Sequence, residues 1–503
     1  MLFDLNWLQA GKEFPPPSER ERLKMYKDNR ALFKGDMADV LEPYRRRVVG
    51  ISNRFRSELD AADNFELDLN YFQLLTLKTG DMIAGEPPTV TVDGKNALDE
   101  IITRTDFSGK LLDAVYDVSR YGDAVLRLKK ETDNTKNFVV VAPDMWFPIV
   151  NQEDNNEVKC HVLAWVTCVN PEEKVEENRH YELTAQIHYR GYYETYKWAI
   201  KDVVRNALVV DANGLNIKTD KYTLGDLISS GNGVKTDTGF KGFAIIPLHN
   251  AKTSGCVYGI NDYDRITPIV AELQVRYALE SLILDKHSAP TMYAPDSAFK
   301  TNKQGEYYLP VGGAIPVGDG EQPPGYLTWD ASLSANHDMI ERLERHLYSL
   351  SEMGAIVNDD AFGASQGFEA LETRMTNARL KARRLSSRLT RPIQQLLSEL
   401  SGVEAEKISL YWNDGIPNNE YRETDIATKQ LQAGLFDLKN ILIDHFDKSE
   451  DDAEKIAEAV RAERSNAVVS FDEEVNDDAE QAEDAETDNR PDGGVRKGAG
   501  RSQ

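Results

Sequence analysis

Three cysteines, at Cys160, Cys168 and Cys256, are too few and too irregularly spaced for a disulfide framework or a zinc ribbon, and they predict buried free thiols in a reducing compartment. Long apolar runs are equally scarce. The stretches "FVVVA" from Phe138 and "LVV" from Leu208 fall far short of the roughly 20 residues that a membrane helix needs, so no membrane partner is expected. The opening "MLFDLNWLQAGKEF" has neither the basic leader nor the small-residue cleavage site of a secretory signal, which predicts a soluble protein kept in the cytoplasm. Positive charge is short as well: 59 basic residues against 84 acidic ones give a net charge of −25. Affinity for phosphate comes from basic surface, so such a chain handles nucleic acid, if at all, without gripping it.

Catalytic signatures are missing too. The eight histidines form no HExxH pair, and no GxSxG elbow occurs. Gly363 and Gly367 in "GASQG" suggest a phosphate loop, but Phe368 and Glu369 stand where the Lys and Ser/Thr of that loop belong. Asp359 and Asp360 could hold Mg²⁺, although neighbouring carboxylates arise readily by chance in so acidic a chain. The expectation is no catalytic residue, no metal and no cofactor.

What is present is a length that buries a large core and a clear alternation of patterns, in an α+β order. Ser18 is a candidate cap for a helix carrying Leu23, Tyr26 and Leu32; a second helix runs from Asn70 to Gly85, and a third from Phe107 to Arg120 ends at Gly122 and leads into a strand. From Asn137 to Ile200, β-branched and aromatic residues predict an antiparallel sheet of about four to six strands. The stretch 211–243 is turn-rich and reads as an excursion on its rim, and "AIIPLHNA" closes the region as a buried strand. Ile266, Ile269, Val270, Leu273, Tyr277 and Leu284 then stripe one helix, with Pro268 in its first turn or at a bend, and Ile340, Leu343, Leu347 and Leu350 form a heptad seam on another. About forty residues rich in Gly, Pro and Tyr lie between the two and predict a small β-excursion.

The segment "NDDAFGASQGFEALETRM" interrupts this helical region. Beyond it Met375, Ala378, Ala382, Leu385, Leu389, Ile393, Leu396 and Leu400 keep one face apolar for about 25 residues, or roughly 38 Å, with a kink expected at Pro392. Arg374, Arg379, Lys381, Arg383, Arg384, Arg388 and Arg391 run along the same helix without an acid among them. They form either a solvated, ion-paired face or a positive band facing phosphate or an acidic partner. Two or three short helices follow, with Ser449 a candidate cap, and beyond Val475 the acidic, hydrophobe-poor tail is expected to be disordered.

Four stretches in this order, "GDMIAGEPPTVTV", "IIPLHNAKTSGCVYGINDYDRI", "NDDAFGASQGFEALETRM" and "WNDGIPNNEYRETDIATKQLQAGLFD", resemble the portal protein of tailed bacteriophages, in particular the long-tailed siphophage type. The resemblance covers about residues 20 to 465. It implies a mixed α/β wing (20–260) after an N-terminal arm (1–19), long stem helices (261–288 and 334–356), a small β-containing clip (289–333), a tunnel loop (357–367), a long kinked wing helix (368–403), a helical crown (404–465) and an acidic tail (466–503). It also implies a ring, usually of twelve subunits, at one capsid vertex of the virion, assembled in the host cytoplasm. Double-stranded DNA would pass through it, and terminase large subunit, a head-tail adaptor and the major capsid and scaffolding proteins would be its partners.

On that resemblance the DNA-facing residues are Asn358, Asp359, Asp360, Phe362, Gly363, Ser365 and Gln366. Lys286, Arg342 and Arg345 are candidate lumen cations, the two arginines alternatively pairing with Glu341 and Glu344, and Tyr293, Lys300, Lys303, Tyr307 and Tyr308 are candidate clip contacts. The basic run is then expected to make salt-linked packing between wings and against capsid. The alternatives are another oligomeric capsid or head-tail connector protein, and a carboxylate- or metal-dependent enzyme.

Overall fold

The computed structural model describes residues 1–37, 40–41, 69–95, 98–132, 134–175, 178–210, 216–228, 232–288, 292–293, 300–301, 307–308, 320, 325–326, 334–353, 368–413, 428–431, 437–446 and 453–462. The chain divides into two compact units, Met1–Gly415 and Ile416–Gln503.

The first unit opens with strand β1 (Glu13–Phe14) and helix α1 (Arg20–Lys34). Ser18 is not the cap of α1: it lies in a 3-10 turn, and Glu19 holds the cap position without a capping bond. The reason is that the Glu19 carboxylate is already engaged, by Arg22 at 2.8 Å and by the Tyr258 hydroxyl at 2.8 Å. Helix α2 (Tyr71–Ala84) begins where the sequence indicates, with Asn70 Oδ1 accepting the Gln73 N–H at 2.9 Å, and leads to strand β2 (Thr89–Val92). The short helix α3 (Asp99–Thr105) and helix α4 (Phe107–Tyr121) follow; Gly122, at φ 87°, turns α4 into strand β3 (Asp123–Lys130).

Strands β4 (Lys136–Val141), β5 (Trp146–Val150), β6 (Val158–Cys168), β7 (Tyr181–His188), β8 (Tyr192–Val210), β9 (Asn216–Leu227), β10 (Lys235–Asp237) and β11 (Ile245–His249) complete this region. They do not form one sheet. The seven-stranded antiparallel sheet runs β1-β9-β8-β7-β6-β5 with β10 paired to β8, whereas β4 joins a separate sheet ordered β11-β3-β4. Packing explains the departure, since Phe138 on β4 is 1% exposed and its ring lies 6.3 Å from that of Phe107 on α4.

The turn-rich stretch 211–243 is also more than a rim excursion, because β9 pairs with β8 along most of its length. Its apolar residues alternate as a strand requires: Leu224 is fully buried, and Tyr222 packs against the same core. That core includes Leu2, Trp7, Leu8 and Phe14 from the first fourteen residues, packed with Phe147, Val162, Leu183 and Trp198.

Three long helices follow. Helix α5 (Thr267–Ser288) carries Pro268 at its second position, where no donor is needed. Helix α6 is Ser334–Ser351, and helix α7 (Phe368–Ser401) contains Pro392. Between α5 and α6, strand β12 (Met292–Tyr293) pairs with β15 (Gly325–Tyr326), and β13 (Lys300–Thr301) with β14 (Tyr307–Tyr308). After α7, strand β16 (Ile408–Tyr411) pairs antiparallel with β2. The sequence signals no such pairing, and it lies inside the segment that the resemblance assigns to the crown.

The second unit contains helix α8 (Leu438–Phe446) and helix α9 (453–462). Ile441, Ala453 and Ala457 are buried in it, and Lys439–Glu454 and Arg461–Asp437 pair at 3.2 and 2.6 Å. Ser449 and the acidic tail from 466 lie outside the described residues. Among the described residues no helix is long and apolar enough to cross a membrane.

Candidate functional site at the roots of the long helices

The chain approaches α5 through a turn that the sequence builds from Asn261. Its side-chain oxygen accepts the N–H groups of Tyr263 and Asp264, each at 2.9 Å, in the local bonding that Asn favours at turns. Tyr263 then buries completely, its ring 5.0 Å from Phe72 and its hydroxyl 2.7 Å from Thr76 Oγ1 and 3.1 Å from the Phe72 carbonyl. Burial drives the Tyr263 phenol well above its ordinary range, so it stays neutral and anchors α5 to α2.

Asp262, beside it, is a hub. Its Oδ2 accepts from Ser119 Oγ at 2.8 Å and from the Lys381 ammonium at 2.9 Å, and its Oδ1 accepts from Asn250 Nδ2 at 3.0 Å. Lys381, on α7, is 5% exposed and also reaches the Ser351 carbonyl at 3.3 Å and Thr79 Oγ1 at 3.4 Å. One ammonium thus touches α2, the end of α6 and the turn before α5.

A second hub sits at the start of β3. Asp123 is fully buried and accepts from the Tyr26 hydroxyl at 2.8 Å and from the Gly259 N–H at 2.8 Å, with His249 Nδ1 at 2.6 Å. Next to it Arg22 donates to the Pro143 and Trp146 carbonyls at 3.1 and 3.0 Å and stacks 4.3 Å from the centre of the Tyr258 ring. These bonds tie α1 to both sheets and to the approach to α5.

Along the α5–α6 seam, Tyr277 donates to Glu344 Oε1 at 2.8 Å, and Tyr71 lies 3.4 Å from the same oxygen. Burial, with the Glu344 carboxylate adding to it, raises both phenols well above their ordinary range. Asn336 and His337 meet Glu280 at 3.0 and 3.1 Å. The apolar stripe is buried at Ile266, Val270, Leu273, Ile340 and Leu347, yet Leu284 is 52% and Leu350 46% exposed.

The predicted cations divide. Arg345 is exposed and pairs with Glu341 at 2.9 Å, while Glu344 is taken by tyrosines and pairs with neither arginine. Arg342 is exposed, and among the described residues no ion pair includes it. The side chain of Lys286 lies outside the described residues, as do those of Tyr293, Lys300, Tyr307 and Tyr308. Lys303 and the whole segment Asn358, Asp359, Asp360, Phe362, Gly363, Ser365 and Gln366 lie outside them too.

The basic run of α7 is not one face. Lys381 points inward, Arg384 pairs with Glu352 at 2.6 Å, and Arg383, Arg388 and Arg391 are exposed; the Arg374 side chain is outside the described residues. Of the cysteines, Cys160 is buried as expected, Cys168 is half-buried and Cys256 is exposed, contrary to expectation, on the loop before Tyr258.

A cleft of about 650 Å³ opens beside Pro392, lined also by His161, Arg190, Phe243, Pro247 and Glu399. The Glu399 carboxylate there accepts the Lys241 and Gly242 N–H groups at 3.1 and 2.7 Å. Among the described residues no group of three His, Cys, Asp or Glu could hold a metal ion.

Sequence reasoning missed Asp262, Asp123 and the inward turn of Lys381. A signal for the last existed: position 381 lies three residues after Ala378 and four before Leu385, on the edge of the apolar stripe.

Residues 17–202 match the family model described as "Phage portal protein, SPP1 Gp6-like", a span from the 3-10 turn before α1 into β8. The resemblance read from the sequence is borne out over that span. Among solved structures the chain is similar to a protein in "Neck of native GTA particle computed with C12 symmetry", at 8% identity over 74% of this chain and 88% of that one, with a TM-score of 0.42. A second, "Virion of native gene transfer agent (GTA) particle", gives 10% identity, the same coverages and a TM-score of 0.39. No curated protein matches the chain.

Proposed function

We infer, from the family match over residues 17–202, that this chain is a phage portal protein, and propose that it works as one subunit of a ring-shaped channel at a capsid vertex. The match is the observation that carries the reading. Three physical features support it. The stripe of α5 and α6 continues into exposed Leu284 and Leu350, which a neighbouring copy would cover. Two short strand pairs lie between those helices, where the clip is expected. A net charge of −25 per chain suits a passage through which a duplex slides without sticking.

In this reading the ring is a dodecamer of the virion, α5 and α6 form the stem, 289–333 the clip and 357–367 the tunnel loop. Double-stranded DNA is the cargo; terminase large subunit and then a head-tail adaptor dock on the clip, and capsid and scaffolding proteins surround the wing. Catalysis belongs to the terminase partner. Negative-stain microscopy of the purified full-length chain tests the proposal: closed rings are expected, and a strictly monomeric chain at every concentration and salt overturns it. Deleting Asp360 to Gln366 is expected to leave rings intact and impair DNA packaging or retention, so loss of rings would remove these residues from the lumen.

A further inference from the structure

We propose that Lys381 is a positioning residue that pins the C-terminal end of α6 to the turn before α5, and so fixes both long helices against the wing. Three observations converge on it. Lys381 sits on the edge of the buried stripe of α7, between Ala378 and Leu385, where a leucine would pack without any polar cost, yet the chain places an ammonium there at 5% exposure. A buried cation is tolerated when it is paired and its partner is satisfied. Asp262 meets that condition, accepting from Ser119, Asn250 and Lys381 within 3.0 Å.

The second observation is what else the ammonium touches. The Ser351 carbonyl, 3.3 Å away, belongs to the last turn of α6, whose carbonyls have no partner within the helix and attract a cation. Thr79, the third contact, is itself held by a bond from its hydroxyl to the Leu75 carbonyl at 2.8 Å. The pin therefore joins the end of one long helix, the approach to another and a wing helix in a single charge-balanced cluster.

The third is the geometry just beyond Ser351. Glu352 has φ 61°, a left-handed conformation that a glutamate adopts only when its surroundings hold it there. Its carboxylate is held by Arg384, one turn along α7 from Lys381, and Met353 behind it is buried. The Met353 N–H donates to Ser351 Oγ at 3.3 Å, which closes the turn. Two adjacent turns of α7 thus grip the end of α6, Lys381 from inside and Arg384 from outside.

The pin's consequence for a channel rests on the function proposed above, but the pin itself does not, and hydrogen exchange on the full-length chain reads it directly. Lys381→Met keeps the length and removes the charge; Lys381→Gln keeps a donor; Arg391→Met removes an exposed cation of the same helix as a control. Amides 348–353 and 262–266 are expected to exchange at least roughly tenfold faster in Lys381→Met, less so in Lys381→Gln, and as in the unsubstituted chain in Arg391→Met, with β3 amides unchanged.

Exchange at 348–353 that stays unaltered, β3 amides that rise in step, or failure of both Lys381 variants to fold would each overturn the proposal. The last two would make Lys381 a general folding residue. Rings are scored on the same samples. Their absence from the unsubstituted chain would sink the channel reading while leaving the pin standing.

Discussion

At the scale of single residues, the approach to α5 depends on two glycines in backbone contact. A Cβ on Gly259 would stand 2.1 Å from the Gly122 carbonyl oxygen, and one on Gly122, at φ 87°, 2.4 Å from that of Gly259. Both obstacles are backbone, so neither yields cheaply, and the contact also aims the Gly259 N–H at Asp123. Gly259→Ala is expected to cost about 3 kcal/mol or more, read as a lowered urea midpoint; an unchanged midpoint would mean that the two segments separate freely.

Two histidines give a pH prediction. Burial lowers His161 and His188 from 6.5 to about 3 each. A base whose folded pKa is depressed contributes stability that is fully present above 6.5 and lost as pH falls toward 3, at up to roughly 1.4 kcal/mol per pH unit for each. Neither His188 ring nitrogen finds a partner among the described residues, whereas His161 Nδ1 accepts from Trp146 Nε1 at 3.1 Å. His188→Phe is therefore expected to be near neutral at pH 7.5 and stabilising at pH 5, with a shallower melting-temperature slope between pH 4 and 6. Parallel slopes for the two proteins would refute it. These roles were not legible in sequence, because burial and partner are tertiary facts that histidine's neighbours in the chain do not carry.

At the scale of elements, α7 was the most readable part of the chain. Met375, Ala378, Ala382, Leu385, Leu389, Ile393, Leu396 and Leu400, picked out by spacing alone, are all buried, at 7% exposure or less. Periodicity worked because one face meets a continuous core. It worked less well for the sheets, where β4 left for the second sheet through the packing of Phe138 on Phe107, and where Gly, Asn and Asp masked the alternation of β9. The same spacing separates two leucines on α7 sharply: Leu389 is fully buried and Leu380 is 54% exposed. Leu389→Ala is expected to cost about 3 kcal/mol and Leu380→Ala less than about 0.5 in chemical denaturation of the dissociated chain. Equal losses would mean that the apolar stripe is not what holds α7.

At the scale of the whole molecule, the order of patterns was legible and pointed to the family whose model matches residues 17–202. The candidate DNA-facing and clip residues were reached through the resemblance and not through their own pattern, since eleven consecutive residues such as 357–367 are too few for a hydrophobic period to show in the sequence. Assembly can nonetheless be argued from residues in view. Leu284 and Leu350 are about half exposed at the ends of stripes that are buried at Ile266, Val270, Leu273, Ile340 and Leu347, so changing both to Ser takes little from the core of a single chain. The unfolding free energy of the dissociated chain is expected to fall by about 1 kcal/mol per site or less, while the ring fraction in sedimentation velocity falls at equal concentration.

Salt gives the complementary arm. A ring of twelve such chains would carry a charge of roughly −300, from −25 on each. Screening shortens that repulsion from roughly 30 Å at 0.01 M ionic strength to about 8 Å at 0.15 M. Apolar contacts opposed by like charge should therefore yield more rings as salt rises over that range, and the Leu284→Ser/Leu350→Ser variant should regain part of its loss. Rings that dissociate with added salt would instead place ion pairs between subunits at the centre of assembly, and would move the interface from the leucines to the exposed arginines of α7.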